Sequence, residues 1–188
     1  MLSNILETSL MQKKPIETFA FDKCFPKHVS FIGEPWEILS KHIGKLEQGA
    51  IINFWTFGRY AMADIVNHIL RQIGQCKINA CTWAISTDAV NTLLNRKKDG
   101  LITDFKLWID PRVRVRNPEP LQMLKANFPV VIKPVHAKVC TFCNEEWKIS
   151  VCGSLNFTSN PQPERGIIQC INSVFEYDNN LIENEFRK

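Results

Sequence analysis

From Gly49 onward the chain alternates short apolar runs with amphipathic stretches, and that rhythm confines it to an α/β fold. Residues 50–56 (AIINFWT) form a compact, β-rich apolar run. Beyond Gly58, Ala61, Met62, Ile65, Val66, Ile69, Leu70 and Ile73 recur at helical spacing until Gly74. Residues 78–85 predict a second strand, with Ser86 as N-cap of a helix that carries Ala89, Val90, Leu93 and Leu94 and ends on basic residues before Gly100. Residues 101–109 predict a third strand, and Asn117-Pro118 opens a helix with Leu121, Leu124 and Phe128 on its apolar side. Residues 130–132, 135–142, 147–152 and 167–175 complete the predicted strands, with Asn144-Glu145-Glu146 as a hairpin turn and 176–188 as a closing helix.

The first 48 residues lack this regularity. They carry Pro15, Pro26 and Pro35, with a helix expected over 36–46, and are expected to be an N-terminal extension (1–48) on the main domain (49–188). Met1 to Met11 has helical apolar spacing broken by Asn4, Glu7 and Thr8, which does not fit a signal peptide. No apolar run approaches the roughly 20 residues of a membrane span. At 188 residues and 45% hydrophobic, the chain can build a full core without disulfides. Its seven cysteines, an odd number, are expected to be free thiols in a reducing, cytoplasmic setting.

The net charge is only +4, but it is concentrated. Between Asn95 and Lys138 ten lysines and arginines stand against four acidic residues, which suits a polyanion. Within it, Arg112-Val-Arg-Val-Arg116 alternates with period two, as an edge strand presenting Arg112, Arg114 and Arg116 on one face or as a solvated loop.

The chemistry-bearing stretch is His136-Ala-Lys138, expected in one strand and followed after a hairpin by Gly153-Ser154-Leu155-Asn156, then Glu164. Residues two apart in a strand share a face, and the returning strand brings Ser154 and Asn156 toward it. Gly153 is expected to let a ligand approach the backbone closely. An imidazole, an ammonium, a hydroxyl and an amide make a phosphate-handling set: Lys138 and Asn156 hold phosphoryl oxygens, Ser154 assists, and His136 attacks phosphorus or protonates a leaving oxygen. Glu164 is expected to orient a histidine.

His136-x-Lys138 with Gly153-Ser154-x-Asn156, Phe157-Thr158 and Glu164 resembles the HKD motif of the phospholipase D superfamily. The resemblance implies an α/β/α sandwich with a central mixed sheet and a metal-independent phosphodiesterase with no cofactor. Because the family pairs two such motifs and this chain has one, it further implies a homodimer in which one His136 forms a phosphohistidine and the other serves as general acid. With the basic stretch, the expected substrate is DNA. The alternatives are a catalytically inactive nucleic-acid-binding module and a phospholipid-acting phosphodiesterase. The chain departs from the motif at Cys143, where the family has aspartate; Asn144 or Glu145, from a longer turn, would supply its hydrogen bonding.

His136, Cys140, Cys143 and Cys152 also have a zinc-like spacing, but a strand sends Cys140 and Cys143 to opposite faces, and no metal site is expected. Trp55, Trp83 and Trp108 are expected in the core, and Trp147 across the hairpin tip. His28, His42 and His68 belong to no motif.

Overall fold

A computed structural model describes residues 18–22, 25–29 and 35–187; the expectations for Met1 to Met11, Pro15 and Cys24 fall outside them. In chain order the elements are β1 (Thr18–Asp22), β2 (Phe25–Val29), α1 (Pro35–His42), β3 (Ile51–Trp55), α2 (Met62–Ile73), β4 (Cys76–Thr82), α3 (Thr87–Lys98), β5 (Ile102–Ile109) and α4 (Val113–Arg116). There follow α5 (Pro118–Asn127), β6 (Val130–Ile132), β7 (Val139–Cys143), β8 (Lys148–Gly153), β9 (Arg165–Gln169) and α6 (Asn172–Arg187).

The described strands form one mixed sheet in the order β2-β1-β3-β9-β8-β7-β4-β5-β6. β4, β5 and β6 run parallel, and every other neighbouring pair is antiparallel. This pattern sets the carboxyl ends of β3, β4, β5 and β8, and the amino ends of β7 and β9, along a single edge. Open α/β sheets bind ligands beyond the carboxyl ends of their strands.

Alternation along the strands gives the sheet two unlike faces. Ile52, Phe54, Ile78, Ala80, Cys140, Phe142, Ile149, Val151 and Ile168 join one hydrophobic core with residues of α1, α2, α3 and α5. Ile38, Leu39, Ile43 and Leu46 pack into that core, so α1 and the turn after it are built into the folded unit. On the opposite face α6 lies over β4, β7 and β8, and the contact is largely polar. Asn79 donates to Asn179 and Glu183, Thr141 to Asn179, and Ser150 to Asp178. The result is the expected α/β/α sandwich.

Helix boundaries follow local chemistry. Ser86 accepts from the Ala89 amide at 3.2 Å, as expected of the α3 N-cap. At the start of α2, Ala61 has no capping side chain, and the Asp64 carboxylate accepts its amide at 2.8 Å instead.

Three expectations are corrected. Residues 135–138 are not strand: Pro134 has no amide hydrogen and the Val135 amide points to Asp110, so β7 starts at Val139. The apolar run after Gln169 is not strand either, because α6 already starts at Asn172; a short apolar run fits both periods. Arg112 to Arg116 is neither edge strand nor loop but the one-turn helix α4, bonded from Asn117 to Val113 and from Arg116 to Arg112.

Candidate active site

His136 sits on the link between β6 and β7, exposed at the sheet edge just defined. Lys138, two residues on, is turned inward and only 7% exposed. Its Nζ donates to the His136 carbonyl at 2.6 Å and lies 3.5 Å from each ring nitrogen. The two groups therefore meet as expected, through a folded-back link rather than strand alternation. The Lys138 carbonyl accepts from the Gly153 amide at 3.2 Å, which brings the end of β8 alongside.

Glu164 is buried immediately before β9. Its backbone is fixed to the end of β3: Thr56 N donates to its carbonyl at 2.9 Å, and its own amide donates to Thr56 Oγ1 at 3.3 Å. Burial raises its pKa, opposed by a hydrogen bond from Asn160 and by the charge of Lys138. Burial likewise lowers the pKa of Lys138, opposed first by Glu164. In both groups burial works against the charged form, and the opposite charge of the partner offsets part of it. The groups that act on the Glu164 carboxylate are Asn160 and Lys138, not His136 as expected.

Ser154 and Asn156 are tied into the frame. Ser154 Oγ accepts from the Arg165 amide at 3.1 Å, and its own amide donates to the Arg165 carbonyl at 2.9 Å. Asn156 Oδ1 accepts from Thr82 Oγ1 at 3.3 Å, so the amide nitrogen is the end available to an anion. Its carbonyl receives the Met62 amide from the first turn of α2. The glycine at 153 has a different role from the expected one: an added Cβ would lie 2.3 Å from the Arg165 carbonyl, so the close approach there is by the neighbouring strand, not a ligand.

Two further residues belong to this edge, and no motif singled them out. Asp110, one step past β5 and 3% exposed, accepts Arg112 Nε at 2.7 Å, Arg112 Nη2 at 3.1 Å, the Arg112 amide at 3.0 Å and the Val135 amide at 3.4 Å. These bonds hold its carboxyl well below the usual range, the Arg112 side chain contributing most. Trp83, one step past β4, is half-buried, with the His136 ring at 6.2 Å between centroids. Arg112 and Arg116 each stand over the indole at 4.9 Å. The sequence signal for both lay in position, immediately beyond the carboxyl ends of adjacent parallel strands.

The α4 helix also corrects the expectation of three arginines on one face. Four residues along a helix return to the same side, which pairs Arg112 with Arg116, whereas Arg114 turns away. Trp55, expected in the core, is 39% exposed. Trp108, also expected in the core, is half-buried and donates to the Lys133 carbonyl at 3.1 Å, and Trp147, expected across the hairpin tip, is partly buried against the core.

Among the described residues no three His, Cys, Asp or Glu side chains converge as a metal-holding group. Cys76, Cys81, Cys140, Cys143, Cys152 and Cys170 are free thiols, and burial raises Cys76 to about 12 and Cys81 and Cys170 to about 11. No described helix is long and apolar enough to cross a membrane.

The architecture has counterparts among solved structures. NucT from Helicobacter pylori superposes with a TM-score of 0.53 at 11% identity, over 73% of this chain and 96% of that one. Polyphosphate kinase from Porphyromonas gingivalis gives 0.53 at 11% identity, over 71% of this chain but 26% of the kinase. A phospholipase D family member, Nuc from Salmonella typhimurium, gives 0.49 at 18% identity, over 61% and 80%. No protein-family model matches the sequence, and no curated protein matches it significantly. The chain shares the α/β fold of NucT and the polyphosphate kinase, and at these identities the likeness is one of fold.

Proposed function

We propose that this protein is a phosphodiesterase of phospholipase D type that hydrolyses DNA. The observation that carries the reading is the His136–Lys138 pair: an exposed imidazole with a buried ammonium 3.5 Å from its nitrogens, the ammonium facing the Glu164 charge. A buried lysine kept charged supplies fixed positive potential where a phosphoryl group gains negative charge.

In this reading two copies of the chain face each other and pool their His136 residues. A ring nitrogen of one His136 attacks phosphorus, forming an N–P bond as the P–O bond to the leaving nucleoside oxygen breaks. The second His136, protonated, gives its proton to that oxygen. Water then attacks the phosphohistidine, passing a proton to the second imidazole, and the first histidine departs. Lys138 and the Asn156 amide hold the non-bridging oxygens. Ser154 keeps the β8–β9 corner in place, and Glu164 keeps Lys138 charged. The catalytic set is His136, Lys138, Ser154, Asn156 and Glu164, with no cofactor. DNA rather than lipid is favoured by the Arg112–Arg116 arm beside His136.

The test is cleavage of plasmid and single-stranded DNA in excess EDTA by wild type and by His136→Ala. Cleavage by the wild type that disappears in the variant is expected, with a dimer by mass in solution. Retained DNA binding without cleavage would leave a nucleic-acid-binding module; turnover of a phospholipid but not DNA would assign the lipid class.

A further inference from the structure

The basic arm beside His136 is not uniform, and its geometry separates the arginines by task. Arg112 is engaged side-on by the buried Asp110 carboxylate at 2.7 and 3.1 Å, so its charge is already compensated. Arg116 stands over the same indole at the same 4.9 Å, and among the described residues it has no acidic partner. The His136 ring lies 6.2 Å from that indole. Trp83 thus stands against both His136 and a guanidinium that has no acidic partner among the described residues.

We infer that Arg116 and Trp83 form a subsite for the nucleic-acid phosphate next to the one attacked by His136, with Arg112 and Asp110 as the strut that holds it open. This rests on the phosphodiesterase reading and extends it to a second contact point along the strand. The indole face holds the Arg116 guanidinium by cation–π attraction, limiting the side-chain entropy lost on binding. Asp110 fixes Arg112 and the Val135 amide together, so the arm and the His136 link share one anchor. A duplicated contact of this kind favours a polymer over a single phosphodiester.

The experiment is fluorescence anisotropy with a labelled single-stranded DNA 12-mer in EDTA, all variants being made in His136→Ala to prevent turnover. Arg116→Ala should weaken binding about tenfold and lower the slope of log K against log salt by about 0.7, the value of one phosphate contact on a single strand. Arg114→Ala should change affinity less than twofold. Trp83→Phe, which keeps an aromatic face, should bind within about threefold of its parent, whereas Trp83→Leu should approach Arg116→Ala. Equal losses at Arg114 and Arg116, or a salt slope unmoved by Arg116→Ala, would overturn the subsite. Wild-type cleavage combined with Arg116-independent binding sinks the subsite but leaves the phosphodiesterase. Arg116-dependent binding without cleavage does the reverse, and absence of binding removes both.

Discussion

The two ends of β7 carry polar groups of opposite kind. At its start the polar groups are charged and matched: Lys138 with Glu164, Asp110 with Arg112. At its far end, and at the foot of α2 nearby, the groups that hold the turn are neutral amides saturated with hydrogen bonds, and the charged side chains there, Lys77, Glu145, Glu146 and the Lys148–Glu176 pair, lie around them. Asn144 accepts the Glu146 and Trp147 amides at 3.0 and 2.7 Å and donates to the carbonyls of Ile73 and Gln75 at 2.9 and 3.2 Å. Gln72 accepts the Leu46 amide, donates to the Gly44 carbonyl at 2.9 Å and meets the His68 ring at 2.7 Å. A cavity of about 600 Å³ lies at this amide-held end, lined in part by Lys77, Cys143, Asn144, Glu145 and Glu146, whereas His136 stands on open surface. Cavity size is a poor guide to a site built for a polymer, which needs access from the side and fixed charge.

The sharpest way to break this contrast is Lys138→Ala. If the charged end is catalytic and the neutral end structural, cleavage per folded molecule falls by about 10³-fold or more, over and above the stability lost by leaving the buried Glu164 unpaired, about 3 kcal/mol. A rate lost only in proportion to the folded fraction would instead make Lys138 a structural residue.

The next effect belongs to the neutral end and is driven by pH. Burial lowers His68 from 6.5 to about 4, and His42 likewise to about 4, Lys41 adding to the latter. The unfolded chain takes up these protons near pH 6.5 and the folded chain only near 4. Within that window the unfolded state binds more protons, so stability falls as pH drops. At His68 alone the loss is on the order of 2–3 kcal/mol. Denaturant midpoints measured from pH 7 to 4 check it, and His68→Gln should flatten the dependence. A midpoint unchanged across the window would sink the assignment.

Asn144→Ala follows, with a loss of about 2 kcal/mol from a saturated turn and no change in cleavage per folded molecule. Thermal melts beside a rate assay separate the two. The hairpin is partly readable in the sequence: Asn144 or Glu145 is expected to supply the hydrogen bonding of the absent motif aspartate, and Asn144 makes the turn's hydrogen bonds. Ser86, the strand–helix rhythm and the His136–Lys138 pairing were likewise legible, because each depends on neighbours in sequence. Trp83 and Asp110 were not, since nothing local distinguishes a half-buried indole from a core one. Their positions emerge only when β4 and β5 are laid side by side. The arginine arm was misread because Arg-Val-Arg-Val-Arg carries a period of two, while the backbone after Pro111 closes a helical turn.

Glu164→Gln tests how the charged end is maintained. Without the carboxylate, Lys138 loses the charge that opposes its desolvation, so its pKa falls further and the ammonium is lost at lower pH. The alkaline limb of the pH–rate profile should move down, with about a tenfold loss of rate near pH 8. A uniform loss at every pH would point instead to a role for Glu164 in holding a histidine of the second copy.

The smallest effect is expected at Cys143, the position where the chain departs from the motif. Cys143 closes β7, five residues from Lys138, and at about 3.3 Å per residue of strand its thiol is on the order of 16 Å from the ammonium. Its recorded contact is the Asn144 carbonyl at 3.8 Å, a weak one for sulfur. The turn it borders is held by Asn144, and the charges at the other end are balanced without it. Cys143→Ser should therefore leave cleavage within twofold, and Cys143→Asp, which introduces the aspartate of the motif the sequence resembles, should raise it no further. A gain of tenfold or more in the aspartate variant would show that the far end of β7 does reach the site, and the division between a charged end and a neutral end would fail.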